Sequence, residues 1–332
     1  MTRPDFMLRA LSLASVASSL PLHLTDEPRP RIVGGAETRA NNYPFLIALF
    51  KSSEFFCGGS LVAPNLVLTA AHCVEDRNPS KYHISSSRHT LSTPMGPDAP
   101  QYLRPEDDNP DCGDDVKVVQ MIVHPEYDPS TVTNDLTLLV LDRNVKCADR
   151  IAFAQLDRGE YSMPGKHLTV AGWGALYSGK FNPFLGPIAP GKLHEAEVET
   201  FDTNECDALL CGFLGGLLGC PYHDGPELCA GNLLGGVDAC AGDSGGPLFH
   251  MRDDGVPILV GITSWGYGCA EVMTPGVYTR ISHHHSFIDL YVCNGPEEAA
   301  GCSPSPPPPP SPPPPPPSPP TLVDQLLAAV GR

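Results

Sequence analysis

Basic residues are scarce in this chain. Its 332 residues carry 21 Lys and Arg against 38 Asp and Glu, a formal charge of −17. Phosphate recognition needs Lys and Arg gathered on one face, so this balance argues against nucleic acid as a partner and favours attraction of basic substrates. Long apolar runs are missing too, none approaching the ~20 residues of a membrane span. There is no cysteine pair with the Cys-x-x-Cys spacing of a zinc finger, and no Asn-x-Ser/Thr acceptor for N-glycosylation. The cysteines that are present number twelve, an even count that suits disulfides in an oxidising compartment. Secretion to the extracellular space is therefore the expected localisation.

The two ends of the chain differ from its middle. Residues 1–17 read as a signal peptide, with Arg3 and Arg9 leading into the small and apolar run Ala10–Ala17. Residues 294–320 form a Pro/Ser-rich linker, in which Ser303–Pro320 cannot make helix or sheet and is expected as a polyproline II rod of about 3.1 Å per residue. Such a rod fits contact with an extracellular matrix, or a plain spacer. Residues 321–332 form a short amphipathic segment that opens on a capping threonine, Thr321.

Between the ends, three stretches carry chemistry. Ser244 stands in Cys240-Ala241-Gly242-Asp243-Ser244-Gly245-Gly246-Pro247, where glycines let a substrate carbonyl approach the backbone. The N–H groups of Gly242 and Ser244 are the expected donors to an oxyanion. His72 ends the apolar run Leu68-Thr69-Ala70-Ala71-His72-Cys73, and Asp135 opens the run Asn134-Asp135-Leu136-Thr137-Leu138-Leu139. Taken singly, these residues read as a turn serine, a core histidine and a strand-start cap. Taken together they make a nucleophile, the base that takes its proton, and the carboxylate that orients the base.

In order along the chain stand Ile32-Val33-Gly34-Gly35, Thr69-Ala70-Ala71-His72-Cys73, Asp135-Leu136-Thr137-Leu138-Leu139, Gly172-Trp173-Gly174, Gly242-Asp243-Ser244-Gly245-Gly246-Pro247 and Ser264-Trp265-Gly266. With these six motifs the sequence resembles the trypsin-like, chymotrypsin-fold serine proteases. The resemblance implies an all-β domain over residues 32–293, built from two six-stranded antiparallel barrels joined near residues 146–165, with the site in the cleft between them. A short C-terminal helix near His284–Val292 is implied as well. The residues themselves agree, since short apolar runs at Phe45–Phe50, Ser60–Val62, Leu66–Ala70, Val116–Val123 and Leu136–Leu141 are broken by Gly, Pro, Asn and Asp. A second set lies at Leu168–Gly172, Ala196–Phe201, Pro247–Phe249, Ile258–Trp265 and Gly276–Ile281.

The resemblance also assigns roles. Asp238, six residues before Ser244, matches the pocket-floor aspartate that selects Arg or Lys before the scissile bond, and Gly266 and Gly276 match positions that keep that pocket open. Ser264 matches the residue that holds the triad aspartate, and Ser264-Trp265-Gly266 matches the segment that pairs with an extended substrate. Residues 18–31 become a propeptide, cut at Arg31-Ile32, whose new Ile32 ammonium would pair with Asp243. The implied partners are protein or peptide substrates and protein inhibitors, with no cofactor. A catalytically idle protease-fold protein, attached to matrix by its Pro-rich tail, is the alternative.

Cysteine pairing follows partly from the family, which implies Cys57–Cys73, Cys206–Cys229 and Cys240–Cys269. The remaining pairs rest on local argument. A hairpin of Val116–Val123 with Leu136–Leu141 sets opposite one another residues whose numbers sum to about 260, which faces Cys112 with Cys147. Cys211 with Cys220 and Cys293 with Cys302 are the nearest local pairs. Leu168 and His250 occupy the positions of one family bridge, which should be absent. Residues 75–115 read as a long loop, with Glu106 to Asp115 as a solvated acidic stretch and no metal site. A second insertion, Leu176–Lys192, is expected to rim the cleft, and His283-His284-His285 reads as surface.

Overall fold

A computed structural model describes residues 35–52, 54–91, 111–174, 191–212, 220–240 and 242–292. The strands are β1 (Ala36–Glu37), β2 (Leu46–Lys51), β3 (Glu54–Ala63), β4 (Leu66–Thr69), β5 (Tyr82–Ser86), β6 (Asp114–Val123) and β7 (Thr137–Leu141). They continue with β8 (Gln155–Leu156), β9 (His167–Gly172), β10 (His194–Thr200), β11 (Glu227–Gly231), β12 (Pro247–Met251), β13 (Pro257–Trp265) and β14 (Gly276–Arg280). Helix α1 (Thr203–Leu210) and helix α2 (His285–Val292) complete the set.

Strands β2-β3-β4-β7-β6-β5 close one antiparallel barrel. The second closes through β9-β10-β11-β14-β13-β12 and back to β9, with β1 and β8 added on β10 and β13. Closure leaves no free sheet edge within either ring. Strand β10 shows the period-two pattern that a barrel wall requires: His194, Ala196, Val198 and Thr200 point inward and Glu195, Glu197 and Glu199 outward. Strands β12 and β13 instead bury both faces. Leu248 and Val260 fill their own barrel, while Phe249 and Leu259 of the other face pack on the first.

 The ring of Phe249 lies 5.2 Å from Phe45 and 4.9 Å from Tyr43, so the joint between the barrels is aromatic.

Two strands lie outside the apolar runs that mark the others. Strand β5 lies inside the 75–115 segment and supplies the sixth stave of the first barrel, pairing with β2 and β6. Strand β11 is the sixth of the second barrel, pairing with β10 and β14. The acidic reading of that segment is corrected at Asp114 and Asp115, which sit at the start of β6 as ion-paired side chains. Asp114 receives Arg143 Nη2 at 2.9 Å and the Lys146 N–H at 3.0 Å, and Asp115 receives Arg88 Nη2 at 3.1 Å. Glu106, Asp107 and Asp108 lie outside the described residues.

The hairpin register matches expectation, with Gln120 opposite Val140 and Met121 opposite Leu139. Disulfides join Cys57 to Cys73, Cys112 to Cys147, Cys206 to Cys229, Cys211 to Cys220 and Cys240 to Cys269. Cys293 and Cys302 lie outside the described residues, as do residues 176–190 of the second insertion. The surface reading of the three histidines holds for His283 and fails for His284, which is 2 % exposed. Its Nδ1 lies 2.8 Å from the Arg280 carbonyl and its Nε2 3.1 Å from Oδ1 of Asn134, so polar partners compensate its burial. Among the described residues, no helix is long and apolar enough to cross a membrane.

Candidate active site

His72 stands on a single turn of 3₁₀ helix, Ala71–Val74, directly after β4. Its neighbours Ala71 and Cys73 are buried, and the Cys57–Cys73 bond ties the turn to β3. Asp135 opens β7 from the other side, following Asn134, which sits in the left-handed region at φ 55°. The two meet twice: His72 N–H donates to Asp135 Oδ1 at 2.9 Å, and Nδ1 lies 2.7 Å from Oδ2. An ionised carboxylate only accepts, so Nδ1 carries the proton and Nε2 keeps its lone pair. Burial alone would lower the His72 pKa, but the hydrogen bond and charge of Asp135, helped by Glu75, raise it above the usual value.

The second barrel completes the carboxylate's partners. The Ser264 hydroxyl donates to Asp135 Oδ2 at 2.6 Å, and Thr279 Oγ1 donates to the Asp135 carbonyl at 2.8 Å. A register shift in β13 between Thr263 and Trp265 accompanies this placement of Ser264, as a bulge re-aims a side chain.

Ser244 lies on the turn that precedes β12. Its carbonyl accepts from Gly58 N–H at 2.8 Å, and Gly245 N–H donates to Thr263 O at 2.8 Å. This turn demands glycine. Gly245 has φ +75°, and a Cβ there would fall 2.1 Å from Thr69 Oγ1; one on Gly58 would fall 2.9 Å from Gly246 Cα. Gly242 also has positive φ, at +100°.

Ser244 lines a cavity of about 330 Å³ together with Ser264, Trp265, Gly266, Gly276 and, at one end, Asp238. Asp238 is 5 % exposed. Its Oδ2 accepts from Ala270 N–H at 3.2 Å, while Oδ1 has no hydrogen-bond partner among the described residues. Burial pushes its pKa up to about 7, against the pull of two backbone donors. The Tyr278 hydroxyl, on the same cavity, is likewise unpartnered. A Cβ at Gly276 would stand 3.1 Å from Asp238 Oδ1, so its absence leaves space beside that buried oxygen.

Asp243 points away from this cavity into the protein. Its Oδ1 accepts from Gly174 N–H at 2.8 Å and its Oδ2 from Cys240 N–H at 2.9 Å, and burial raises its pKa to about 6. The Gly172-Trp173-Gly174 motif makes this possible, because a Cβ at Gly172 or Gly174 would overlap the carboxylate. Arg31 and Ile32 lie outside the described residues. Cys57, His72 and Cys73 fall within ligand distance of one another, but both sulfurs are engaged in their disulfide and offer no thiolate to a metal.

Three partners of the site had no signal in the sequence. Thr279 and Tyr278 follow Gly276 on β14 with nothing to mark them. Glu227, on β11, accepts from the indole N–H of Trp265 at 3.1 Å and reads in the sequence as an ordinary surface acid.

Comparison with known proteins agrees with this geometry. The trypsin family model matches residues 32–288. Serine protease 56 of Mus musculus is 34% identical over 275 residues, covering 82% of this chain, which spans 40% of that protein's length. A trypsin of Saccharopolyspora erythraea is 33% identical over 258 residues, covering 77% of this chain and 96% of its own. Among solved structures, neuropsin, a serine protease expressed in the limbic system of mouse brain, superimposes with a TM-score of 0.60 at 30% identity, covering 77% of this chain and 97% of its own.

Proposed function

Because the chain belongs to the trypsin family of serine proteases, we propose that it is a secreted endopeptidase that cleaves after Arg or Lys through His72, Asp135 and Ser244. The observation that carries the specificity is Asp238. A buried carboxylate that lines a cavity and leaves one oxygen unpartnered is costly unless a cation arrives to pair with it, and a substrate guanidinium or ammonium is such a cation. The net negative charge of the chain adds attraction at longer range.

In this reading His72 Nε2 takes the Ser244 hydroxyl proton as Oγ forms its bond to the substrate carbonyl carbon. The carbonyl π electrons move to oxygen, where the Gly242 and Ser244 N–H groups stabilise them. The imidazolium, held by Asp135, then protonates the leaving nitrogen as the C–N bond breaks and an acyl-enzyme remains. Water, deprotonated by the same Nε2, reverses the sequence and frees the acid. Residues 1–17 would be removed on secretion and residues 18–31 on activation, leaving the Pro-rich tail as a spacer toward an extracellular matrix.

The test is covalent labelling of the mature chain with two serine-directed phosphonates, one bearing an arginine-like and one a phenylalanine-like side chain. Labelling at Ser244, faster with the first by about tenfold or more, is expected. Absence of labelling by either would favour the idle binding protein, and preference for the second would overturn the role of Asp238.

A further inference from the structure

Trp265 closes one wall of the cavity that Ser244 lines. It stands at the end of β13, half-buried, in edge contact with Tyr267 at 5.7 Å. Its inner side packs on an apolar cluster that includes Cys206, Leu210, Tyr222, Cys229 and Val277. Against that lining, Glu227 is out of character. It is 2 % exposed, and among the described residues its carboxylate receives two hydrogen bonds, the His223 N–H on Oε2 at 2.6 Å and the Trp265 indole N–H on Oε1 at 3.1 Å. Among the described residues no lysine or arginine forms a salt bridge with it, and burial lifts its pKa above the ordinary glutamate value. An apolar side chain would complete this cluster without burying a charge. What the carboxylate adds is direction, because its bond to the indole N–H favours one orientation of the ring.

We propose that Glu227 is the positioning residue for Trp265, holding the indole as a fixed wall along which the substrate residues preceding the scissile bond are bound. Glu227 does not touch substrate in this account. Its own place is fixed by the frame that carries the site: it pairs with Thr279 across β11 and β14, Thr279 bonds Asp135, and Arg280 Nε donates to the Glu227 carbonyl at 2.9 Å. The inference rests on the endopeptidase reading above. It adds that extended substrates are gripped by an aromatic wall whose orientation is set from behind by a buried acid.

The chain has two tryptophans, Trp173 and Trp265, and Trp173 is fully buried with its N–H on the His89 carbonyl at 3.0 Å. Fluorescence quenching by acrylamide therefore reads the half-buried Trp265, with Trp265→Phe as the assigning control. In Glu227→Met the indole loses its acceptor, so quenching should rise. KM for a tetrapeptide substrate should rise about tenfold, with kcat held within about twofold, while KM for a single-residue arginine anilide should move by no more than about twofold. Glu227→Gln keeps one acceptor oxygen for two donors and should fall between wild type and Met, which also covers a Met variant that fails to fold. Unchanged quenching and KM, or equal loss on both substrates, would overturn the proposal. If the unmodified mature chain hydrolyses neither substrate, the endopeptidase reading falls, and the quenching comparison still decides whether Glu227 holds the indole.

Discussion

The Ser264 hydroxyl meets Oδ2 of Asp135 at 2.6 Å, one partner from each barrel. The carboxylate that orients His72 is thus itself oriented from across the cleft, and the relative placement of the barrels is built into the base. Ser264→Ala removes one of three side-chain or backbone donors to this carboxylate. A hydrogen bond to a charged group contributes about 1.5–3 kcal/mol, so kcat should fall about ten- to hundredfold with KM little changed. Steady-state kinetics on a small arginine substrate checks it; a wild-type kcat would remove Ser264 from the mechanism.

Ser244→Ala should keep substrate binding and lose at least about a thousandfold in turnover, because the three residues act as a unit. Active-site titration beside a binding assay with the uncleaved peptide is the measurement. A folded variant with near-normal turnover would show that another nucleophile operates.

Much of this site is legible in the sequence because its parts are local: a glycine turn around Ser244, an apolar strand ending at His72, another beginning at Asp135. What is not legible is polar and buried. Strand β5 carries Ser85 and Ser86 into the interior, so its pattern looks like a loop. Asp114 and Asp115 look like members of an acidic run because their arginines, Arg143 and Arg88, are about thirty residues away in either direction. His284 and Glu227 resemble surface residues until folding supplies their partners.

Two pH limbs should separate. Burial holds Asp238 near 7, and a cationic side chain binds its ionised form, so KM for arginine substrates should rise as pH falls through about 7. That limb should vanish in Asp238→Ser, whose arginine and lysine substrates suffer most. The His72 pKa is raised, so its contribution to stability is full below its unfolded value of about 6.5 and is lost as pH rises through the folded one. Turnover runs the other way, since the base must be neutral, and kcat should fall as pH drops through the raised value. A KM that stays flat from about pH 5.5 to 8.5 would count against the pocket assignment.

Cleavage at Arg31-Ile32 should be required for activity. Asp243 is wholly buried with two backbone donors, and its pKa near 6 marks a site that would gain from a cation. Pairing with the Ile32 ammonium should raise that amine above its reference of about 8, so the stabilisation is present below the reference and lost as pH rises through the shifted value. Activity should then decline at alkaline pH. N-terminal sequencing of active protein and assay of an Arg31→Gln precursor decide it: an active uncut precursor would end the activation model.

Deleting residues 303–332 should leave hydrolysis of small substrates within about twofold of wild type, because both barrels close without the tail. Retention on an extracellular matrix preparation should fall. Loss of small-substrate activity in the purified truncation would mean that the tail supports the catalytic body.

The contact between Gly58 and the Ser244 carbonyl has a mechanical meaning. Gly58 N–H reaches that carbonyl at 2.8 Å, with no room for a Cβ on Gly58. The peptide that bears the nucleophile is therefore part of the seam between the halves, and the halves cannot begin to separate without dragging it. On heating, inactivation should then run ahead of the loss of β-structure, since the seam opens before either barrel needs to unwind. Half-lives of activity and of circular dichroism, taken at one temperature, would measure the interval between those two events.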